Sequence, residues 1–198
     1  MGEVARRVSE ASGNKAILVT DVGQNQMLSS RYFKFTESNS IVTSGGLGTM
    51  GFGLPAAIGS KIGAPDRQVC LFVGDGGIQM SIQEFGTIFE YKVPVKIILL
   101  NNNFLGMVRQ WQELFFNQHY SETPMVNPDY VKICQAYGIG AEDVCNREEL
   151  DAAIKRMLDS DTAYLLNIQI KPNNMVFPMI PAGASIDNIL LNSNEHYR

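Results

Sequence analysis

Cysteine is scarce in this sequence of 198 residues, and its three copies, Cys70, Cys134 and Cys145, form no CxxC pair. An odd number of widely spaced cysteines argues against a disulfide framework and against a zinc ribbon. The two histidines, His119 and His196, stand far apart and match no metal-ligand pattern. Unpaired thiols are typical of reducing compartments, so we expect a cytoplasmic protein.

The sequence also lacks an excess of basic residues and has no long apolar runs. Sixteen Lys and Arg stand against 20 Asp and Glu, which makes nucleic acid a poor candidate partner. The longest apolar runs, such as residues 97–100, are far too short to span a bilayer. The N-terminal MGEVARRVSE has no apolar signal-peptide core. The sequence therefore predicts a globular protein that binds neither nucleic acid nor membrane.

Short apolar runs predict four buried strands, at residues 16–20, 69–73, 95–100 and 163–170. The first three are nearly continuous rather than alternating, which is typical of parallel strands covered on both faces. Capping signals predict three helix starts, at residues 81–84, at Asn127 with Pro128 before Gly138, and at Asn146 before residues 149–158. We expect one α/β domain over residues 1–198, a mostly parallel sheet flanked by helices on both faces, with an irregular proline-containing tail over 171–198.

Turns rich in Gly, Asp and Asn follow three of the predicted strands, at residues 21–25 (DVGQN), 74–77 (GDGG) and 101–103 (NNN). Ligands of a parallel sheet bind beyond the carboxyl ends of its strands. The glycines of GDGG let backbone N–H groups approach an anion, and Asp75 could hold a hard cation. A tetrapeptide of this kind fits an ordinary strand-to-helix turn with a capping Asp equally well.

A second polar residue strengthens the prediction of a metal site. Asn102 follows Asp75 by one predicted strand–helix–strand unit, which brings both to the same edge of the sheet. A carboxylate, an amide oxygen and a nearby backbone carbonyl suit Mg²⁺ or Ca²⁺, with water and phosphate oxygens in the remaining positions. Such an ion would also allow a net acidic chain to bind a polyphosphate.

The pattern GDG followed by NN resembles the thiamine diphosphate fingerprint. Longer segments resemble the catalytic subunit of the acetolactate synthase (acetohydroxyacid synthase) family, namely VGQNQM (22–27), TSGGLGTMGFGLPAAIG (43–59), PVKIILLNNNFLGMVRQW (94–111) and FPMIPAGAS (177–185). The resemblance covers nearly the whole chain, as the C-terminal diphosphate-binding domain. It implies a transferase that condenses two 2-ketoacids, pyruvate with pyruvate or 2-ketobutyrate, with loss of CO₂, in branched-chain amino acid biosynthesis.

The resemblance also implies roles for individual residues. Asp75, the Asn102 side chain and the Phe104 carbonyl would bind Mg²⁺. Met50 would support the bent shape of the cofactor, which brings its reacting groups together. Trp111 would shape the pocket of the second substrate, although a lone Trp in an amphipathic helix fits a core position equally well. The cofactor contacts would be Val22, Gly23, Gln24, Asn25, Gly48, Met50, Gly74, Asp75, Gly76, Gly77, Asn102, Phe104, Leu105, Gly106, Met107 and Val108.

Four positions carry weaker or divergent signals. Asn25 stands where the family often has His, and Gly77 stands where many members have Ser, so two polar contacts to the cofactor would differ in type. Arg109 and Gln110 have no role that the motifs define and fit ordinary surface positions equally well.

Family members are longer than this chain, with a pyrimidine-binding domain first and a flavin-binding domain in the middle. The glutamate that activates the cofactor belongs to that first domain and acts across a subunit interface, so we expect this chain to be inactive alone. The resemblance implies a homodimer or higher oligomer, a possible regulatory small subunit, and FAD in the parent enzyme. The sequence leaves open whether the chain is an excised domain or a natural separate subunit.

Three alternative functions remain open at this stage. The chain could belong to another thiamine diphosphate-dependent decarboxylase, carboligase or oxidase, since these enzymes use the same fold. Sulfopyruvate decarboxylase, whose two halves are separate chains, would explain the length of this chain. The chain could also be a cofactor-binding module without chemistry of its own. A dinucleotide-binding domain is weakly supported, because DVGQNQ after the first strand lacks the GxGxxG pattern.

Overall fold

A six-stranded sheet in which every neighbouring pair is parallel organises the chain in the computed structural model, which describes residues 1–192. The strand order is β2-β1-β3-β4-β6-β5. The strands are β1 (Ile17–Thr20), β2 (Ile41–Thr43), β3 (Val69–Gly74), β4 (Lys96–Asn101), β5 (Gly140–Val144) and β6 (Tyr164–Gln169). The helices are α1 (Gly2–Ala11), α2 (Gln24–Tyr32), α3 (Gly53–Gly63), α4 (Asp75–Gln79), α5 (Phe85–Tyr91), α6 (Gly106–Phe115), α7 (Tyr130–Ala136) and α8 (Leu150–Asp159).

Apolar side chains cover both faces of the sheet, as the continuous apolar runs predict. Successive residues of a strand point to opposite faces. On β3, Leu71 packs on the face that α3, α5 and α7 cover, and Phe72 packs on the face of α1 and α8. Both side chains are fully buried. The α/β fold with a parallel sheet is therefore confirmed.

The register of the central strands aligns the polar turns. Gly74 at the end of β3 pairs with Leu100 of β4, and Thr20 at the end of β1 pairs with Phe72 of β3. The residues that follow these strands therefore leave the sheet at one edge. This edge carries the three glycine- and asparagine-rich turns of the sequence.

The two outer strands were not predicted from the sequence. Strand β2 has three residues, and β5 has the sequence GAEDV with mostly half-exposed side chains. An edge strand of this kind lacks the continuous apolar run that identifies a central strand. The four predicted runs correspond to β1, β3, β4 and β6.

The predicted helix caps differ from the structure. A 3₁₀ turn occupies residues 82–84, α5 begins only at Phe85, and the Ser81 side chain makes no capping hydrogen bond. The cap of α7 is Asp129, whose side chain accepts from the Lys132 N–H, and not Asn127. A second 3₁₀ turn over residues 147–149 precedes α8. A 3₁₀ turn therefore precedes α5 and α8 at the residues where the capping signals predict the helix start, and a different residue caps α7.

The C-terminal segment contacts α2 and α6, because the Asn174 carbonyl accepts from Gln24 Nε2 and Val176 hydrogen-bonds the Gln110 side chain. From residue 171 to residue 192 the structure has a 3₁₀ turn, Ile186–Asn188, and an isolated bridge between Met179 and Leu190. The last six residues of the predicted tail, with His196, lie outside the described residues. Within residues 1–192, no helix has the length and apolar character needed to cross a membrane.

Candidate functional site

A cavity opens beyond the carboxyl ends of β1, β3 and β4. It gathers every residue that the sequence analysis assigned to the cofactor except Gly48, and it adds Met1 and Leu100. Its wall consists of Met1, Val22, Gly23, Gln24, Asn25, Met50, Gly74, Asp75, Gly76, Gly77, Leu100, Asn102, Phe104, Leu105, Gly106, Met107 and Val108. Among the described residues that line this wall, Asp75 carries the only ionisable side chain.

Asp75 begins α4 directly after β3, and its side chain is buried, with 1% of the residue exposed. Burial raises the pKa of this carboxyl, and a hydrogen bond from Asn127 opposes that effect. The bond joins Asn127 Nδ2 to Asp75 Oδ2 over 2.7 Å. A buried carboxylate that is not paired with a cationic side chain is a favourable ligand for a bound cation.

Asn102 and Phe104 contribute two more oxygen atoms to the wall of the same cavity. The Asn102 side-chain oxygen accepts from the Phe104 N–H at 3.2 Å and so folds the turn after β4. Phe104 faces Pro124 in an antiparallel bridge, whose hydrogen bonds run through the neighbouring residues on each side. The Phe104 carbonyl points away from that bridge, and no hydrogen bond to it is made within residues 1–192. The all-oxygen set expected from the sequence thus lines one cavity.

Two of the longer helices, α2 and α6, begin in the wall of the cavity without a capping side chain. Gly23 precedes α2 with a φ of 113°, a left-handed conformation that favours glycine. The first turn of a helix has N–H groups without partners inside the helix, and its dipole favours negative charge. An anion that binds at these two helix starts can therefore accept hydrogen bonds from main-chain N–H groups.

Two buried amide oxygens in the wall, Gln24 Oε1 and Asn25 Oδ1, have no hydrogen-bond partner among the described residues. Their nitrogens are engaged elsewhere. Gln24 Nε2 donates to the Asn174 carbonyl and to Gln110 Oε1, and Asn25 Nδ2 donates to the Val22 carbonyl. An unpaired buried acceptor costs about 1–3 kcal/mol. Water molecules bound to a divalent cation would supply the missing donors.

Glycine is required where neighbouring site residues come close. A Cβ at Gly106 would lie 2.7 Å from Asn102 Nδ2 and closer still to Gln24 Oε1. A Cβ at Gly77 would lie 2.8 Å from Asp21 Cγ and closer still to its Oδ1. The space that a side chain at position 77 would use is therefore occupied by Asp21, which explains why this chain has glycine there.

Asp21 also fixes the loop that carries Met50. The Asp21 side chain is fully buried, and its Oδ1 accepts from the N–H groups of Val22 and Gly51 at 2.8 and 3.3 Å. Its Oδ2 accepts from the Gly53 N–H at 2.8 Å, at the start of α3. Met50 precedes this anchored turn and projects into the cavity wall. In the sequence, Asp21 is recognisable only as a polar residue that follows a predicted strand.

Trp111 and Gly48 lie outside the wall of this cavity. Trp111 packs against Phe115, with ring centroids 4.9 Å apart, and lines a neighbouring cavity with His119. Val108 contributes to both cavities, so the two adjoin. Gly48 lies in the turn before Met50 with a φ of 59°.

Two residues at the site had no clear signal in the sequence. Asn127, expected as a helix cap, instead hydrogen-bonds Asp75. Gln110 is 1% exposed and bonds both main-chain groups of Val176, its Oε1 to the N–H at 2.8 Å and its Nε2 to the carbonyl at 3.1 Å. A surface position for Gln110 was therefore the wrong alternative. Only the three-dimensional path of the chain brings these contacts together.

Comparison with known families identifies the domain. Residues 21–168 match the family model described as the thiamine pyrophosphate enzyme, C-terminal TPP binding domain. The chain belongs to this family. The resemblance to the thiamine diphosphate fingerprint is thereby confirmed, and the cavity lies within the matched residues, apart from Met1.

Curated relatives of this family member are large subunits of acetolactate synthase. The chain is 42% identical over 186 residues to the isozyme 2 large subunit of Escherichia coli K12, covering 93% of this chain and 34% of the relative. It is 45% identical over 175 residues to a probable large subunit from Methanocaldococcus jannaschii, covering 88% of this chain and 29% of the relative. The chain thus spans about a third of the length of these relatives.

A solved structure shares the fold. The thiamine diphosphate-dependent 4-hydroxybenzoylformate decarboxylase of Rhodococcus jostii RHA1 superposes with a TM-score of 0.77 at 26% identity. The superposition covers 86% of this chain and 32% of the decarboxylase chain. The fold is therefore that of thiamine diphosphate-dependent enzymes.

Proposed function

We propose that the chain is the diphosphate-binding domain of an acetolactate synthase. The enzyme would condense two 2-ketoacids, pyruvate with pyruvate or with 2-ketobutyrate, and release CO₂ in branched-chain amino acid biosynthesis. The observation that carries the proposal is the convergence of Asp75, Asn102 and the Phe104 carbonyl beside two uncapped helix starts. Identity of 42% or more to acetolactate synthase large subunits favours this activity over others of the family.

The residues present fit a magnesium–diphosphate group. Asp75, the Asn102 side chain and the Phe104 carbonyl would bind Mg²⁺, which prefers oxygen ligands and retains several sites for water and phosphate. The charge of a divalent ion would offset the absence of a cationic side chain from the wall that residues 1–192 form. Backbone N–H groups at the starts of α2 and α6 would donate to the diphosphate.

Thiamine diphosphate supplies a nucleophilic carbon and an electron sink for decarboxylation of 2-ketoacids. The chain's own contribution is to bind and orient. Met50, on the loop that Asp21 anchors, would support the cofactor from one side. Trp111, in the adjoining cavity, would contact the second ketoacid.

The rest of the activity would come from other domains. We propose that a pyrimidine-binding domain of a second subunit supplies the activating glutamate, since Asp75 is the only acid that residues 1–192 contribute to the cavity wall. The active unit would then be a homodimer or larger, and this chain by itself would be inactive. FAD, a regulatory small subunit and a cytoplasmic location are further expectations for the parent enzyme.

Binding of thiamine diphosphate to the full chain tests the cofactor part of the proposal. Calorimetry with MgCl₂ should detect binding that disappears when the metal is chelated. Asp75→Ala should lose the metal-dependent part, because it removes the only carboxylate of the ligand set. Asp66→Ala, at an exposed position, is the matched control. Equal metal-dependent binding by Asp75→Ala and wild type would refute the assigned role.

Product analysis tests the reaction. The chain, combined with a separately produced N-terminal region of an acetolactate synthase large subunit, should convert pyruvate to acetolactate and CO₂. A simple decarboxylase, which the superposed Rhodococcus enzyme makes the second candidate, would release an aldehyde and CO₂ without carboligation. Absence of acetolactate at saturating cofactor and Mg²⁺ would count against the proposal.

A further inference from the structure

The Gln110 side chain on α6 is buried, and each polar atom of its amide has a partner. Its Oε1 accepts from the Val176 N–H at 2.8 Å and from Gln24 Nε2 at 3.0 Å. Its Nε2 donates to the Val176 carbonyl at 3.1 Å and lies 3.3 Å from Met179 Sδ. A main-chain N–H can only donate and a carbonyl can only accept, so Val176 fixes the orientation of this amide. Gln110 is not among the described residues that line the cavity of Asp75.

The Gln24 amide, in the first turn of α2, depends on Gln110 for its orientation in two ways. Gln24 Nε2 donates directly to Gln110 Oε1, and it also donates to the Asn174 carbonyl at 2.9 Å. Asn174 lies two residues before Val176, the residue that Gln110 holds. Both partners of the nitrogen are acceptors, so the Gln24 oxygen must point the other way. This oxygen is buried without a hydrogen-bond partner within residues 1–192, next to Gly106 in the cavity wall.

We propose that Gln110 is a positioning residue for cofactor binding, because it holds the Gln24 amide with its oxygen toward the bound group. The terminal torsion of a glutamine is broad and roughly two-fold, so an amide without these partners can exchange the positions of its oxygen and nitrogen. The fixed oxygen would accept from water bound to the divalent cation of the diphosphate group. The inference rests on the proposed function, since it takes Gln24 as a contact of that group. Gln110 itself acts only through Gln24.

A purely structural role is the competing explanation, in which Gln110 only attaches the C-terminal segment to α6. Arg31 of α2 makes a comparable attachment, because its guanidinium donates to the carbonyls of Phe177 and Pro178 at 2.9 and 3.3 Å. These two hydrogen bonds involve neither Gln24 nor Gln110. Loss of the Arg31 side chain therefore loosens the same segment and leaves the contacts of the Gln24 amide in place, which makes Arg31→Ala the matched control.

A double-mutant cycle in the full chain tests the proposal. Calorimetry at saturating MgCl₂ gives the Kd for thiamine diphosphate of wild type, Gln110→Met, Gln24→Ala and the double variant. Methionine keeps the length and helix propensity of Gln110 without its hydrogen bonds. The Kd should rise about 5-fold in Gln110→Met, the scale of one hydrogen bond. In the Gln24→Ala background the same change should have no further effect, because the amide that Gln110 orients is absent.

The control variant separates positioning from attachment of the segment. Arg31→Ala should leave the Kd for thiamine diphosphate unchanged, although it removes two hydrogen bonds to the C-terminal segment. An unchanged Kd in Gln110→Met would overturn the proposal. An equal rise in Arg31→Ala, or a rise from Gln110→Met that persists in the Gln24→Ala background, would overturn it in favour of the structural explanation.

Wild type provides a second measurement, which decides if Gln110→Met does not unfold cooperatively in urea. In NMR spectra both side-chain amide hydrogens of Gln24 should exchange with solvent far more slowly than those of Gln135, an exposed glutamine of α7. Equal exchange rates would refute the fixed orientation of the Gln24 amide and leave binding of thiamine diphosphate by wild type in place. Wild-type chain without affinity for thiamine diphosphate at saturating MgCl₂ would instead refute the proposed function, and this inference with it.

Discussion

The Asp21 carboxylate accepts the Gly53 N–H across the sheet edge at 2.8 Å, so an acid after β1 caps the start of α3. The residue that occupies the cap position of α3, Phe52, offers no side-chain acceptor. Asp21 also accepts from two further N–H groups, those of Val22 and Gly51. One buried carboxylate therefore sets the conformation of the loop between β2 and α3.

Asp21→Asn should destabilise the chain. The asparagine amide has an NH₂ group in place of one carboxylate oxygen. The backbone N–H that donates to that oxygen in wild type would therefore be buried without an acceptor, which lowers the free energy of unfolding by about 1–3 kcal/mol. Urea unfolding of wild type and variant measures the difference. Asp66→Asn is the matched control, because Asp66 is exposed in the turn before β3. A loss no larger than that of the control would show that Asp21 does not anchor the loop.

Gly106→Ala should weaken binding of thiamine diphosphate. The added Cβ would press on Gln24 and Asn102, two residues of the cavity wall, and displace them. Gly59→Ala is the control, since a Cβ there meets nothing within 4 Å in the middle of α3. Replacing that glycine should stabilise the chain by about 0.5–1 kcal/mol through helix propensity and leave binding unchanged. Equal affinities of the two variants would contradict this expectation.

Asp75→Asn should stabilise the cation-free chain at neutral pH. Burial raises the pKa of Asp75 above its ordinary value of 3.8, so the ionised folded state carries a desolvation penalty that the unfolded state lacks. Between 3.8 and the raised pKa the folded chain holds a proton that the unfolded chain has lost, and the free energy of unfolding of wild type rises as the pH falls through that window. The variant has no such titration, so its advantage should shrink on acidification.

Urea unfolding of both proteins in a chelating buffer, from neutral pH down to the ordinary carboxyl pKa, measures this advantage. The other titrating groups are common to both proteins and cancel in the comparison. An advantage that stays constant or grows on acidification would show that the Asp75 carboxyl is not destabilised by burial.

Trp111→Ala should leave the affinity for thiamine diphosphate unchanged, because Trp111 lines the adjoining cavity and not the cavity of Asp75. In the assembled enzyme the same change should raise the KM for the acceptor ketoacid. Calorimetry checks the first expectation and initial-rate kinetics the second. A large loss of cofactor affinity would mean that the two cavities act as one.

The central sheet and the position of the site were accessible from the sequence for definite physical reasons. Strands buried on both faces need continuous apolar residues, and β3 and β4 have them. Parallel strands end at one edge, so the polar turns after β1, β3 and β4 had to meet. The assignment to a thiamine diphosphate enzyme came from the resemblance of longer segments and not from spacing alone.

What the sequence could not provide were contacts between residues far apart in the chain. Asn127 followed by Pro128 fits a helix start by local rules, but its amide is taken by Asp75, more than fifty positions earlier, and Asp129 caps α7 instead. Strand β5 pairs with β6 although Glu142 and Asp143 interrupt its apolar pattern. Local sequence patterns therefore indicate which helix caps and strands are favourable, whereas contacts between distant residues determine which of them form.

The main-chain character of the cavity wall has a consequence for how this domain tolerates change. Five glycines, Gly23, Gly74, Gly76, Gly77 and Gly106, contribute to the wall. At Gly76, as at Gly77 and Gly106, an added methyl group would collide with a neighbouring side chain. Saturation mutagenesis should therefore find that larger side chains at these glycines are not tolerated. An active site that depends on side chains shows the opposite pattern, because it loses function chiefly when those side chains are truncated.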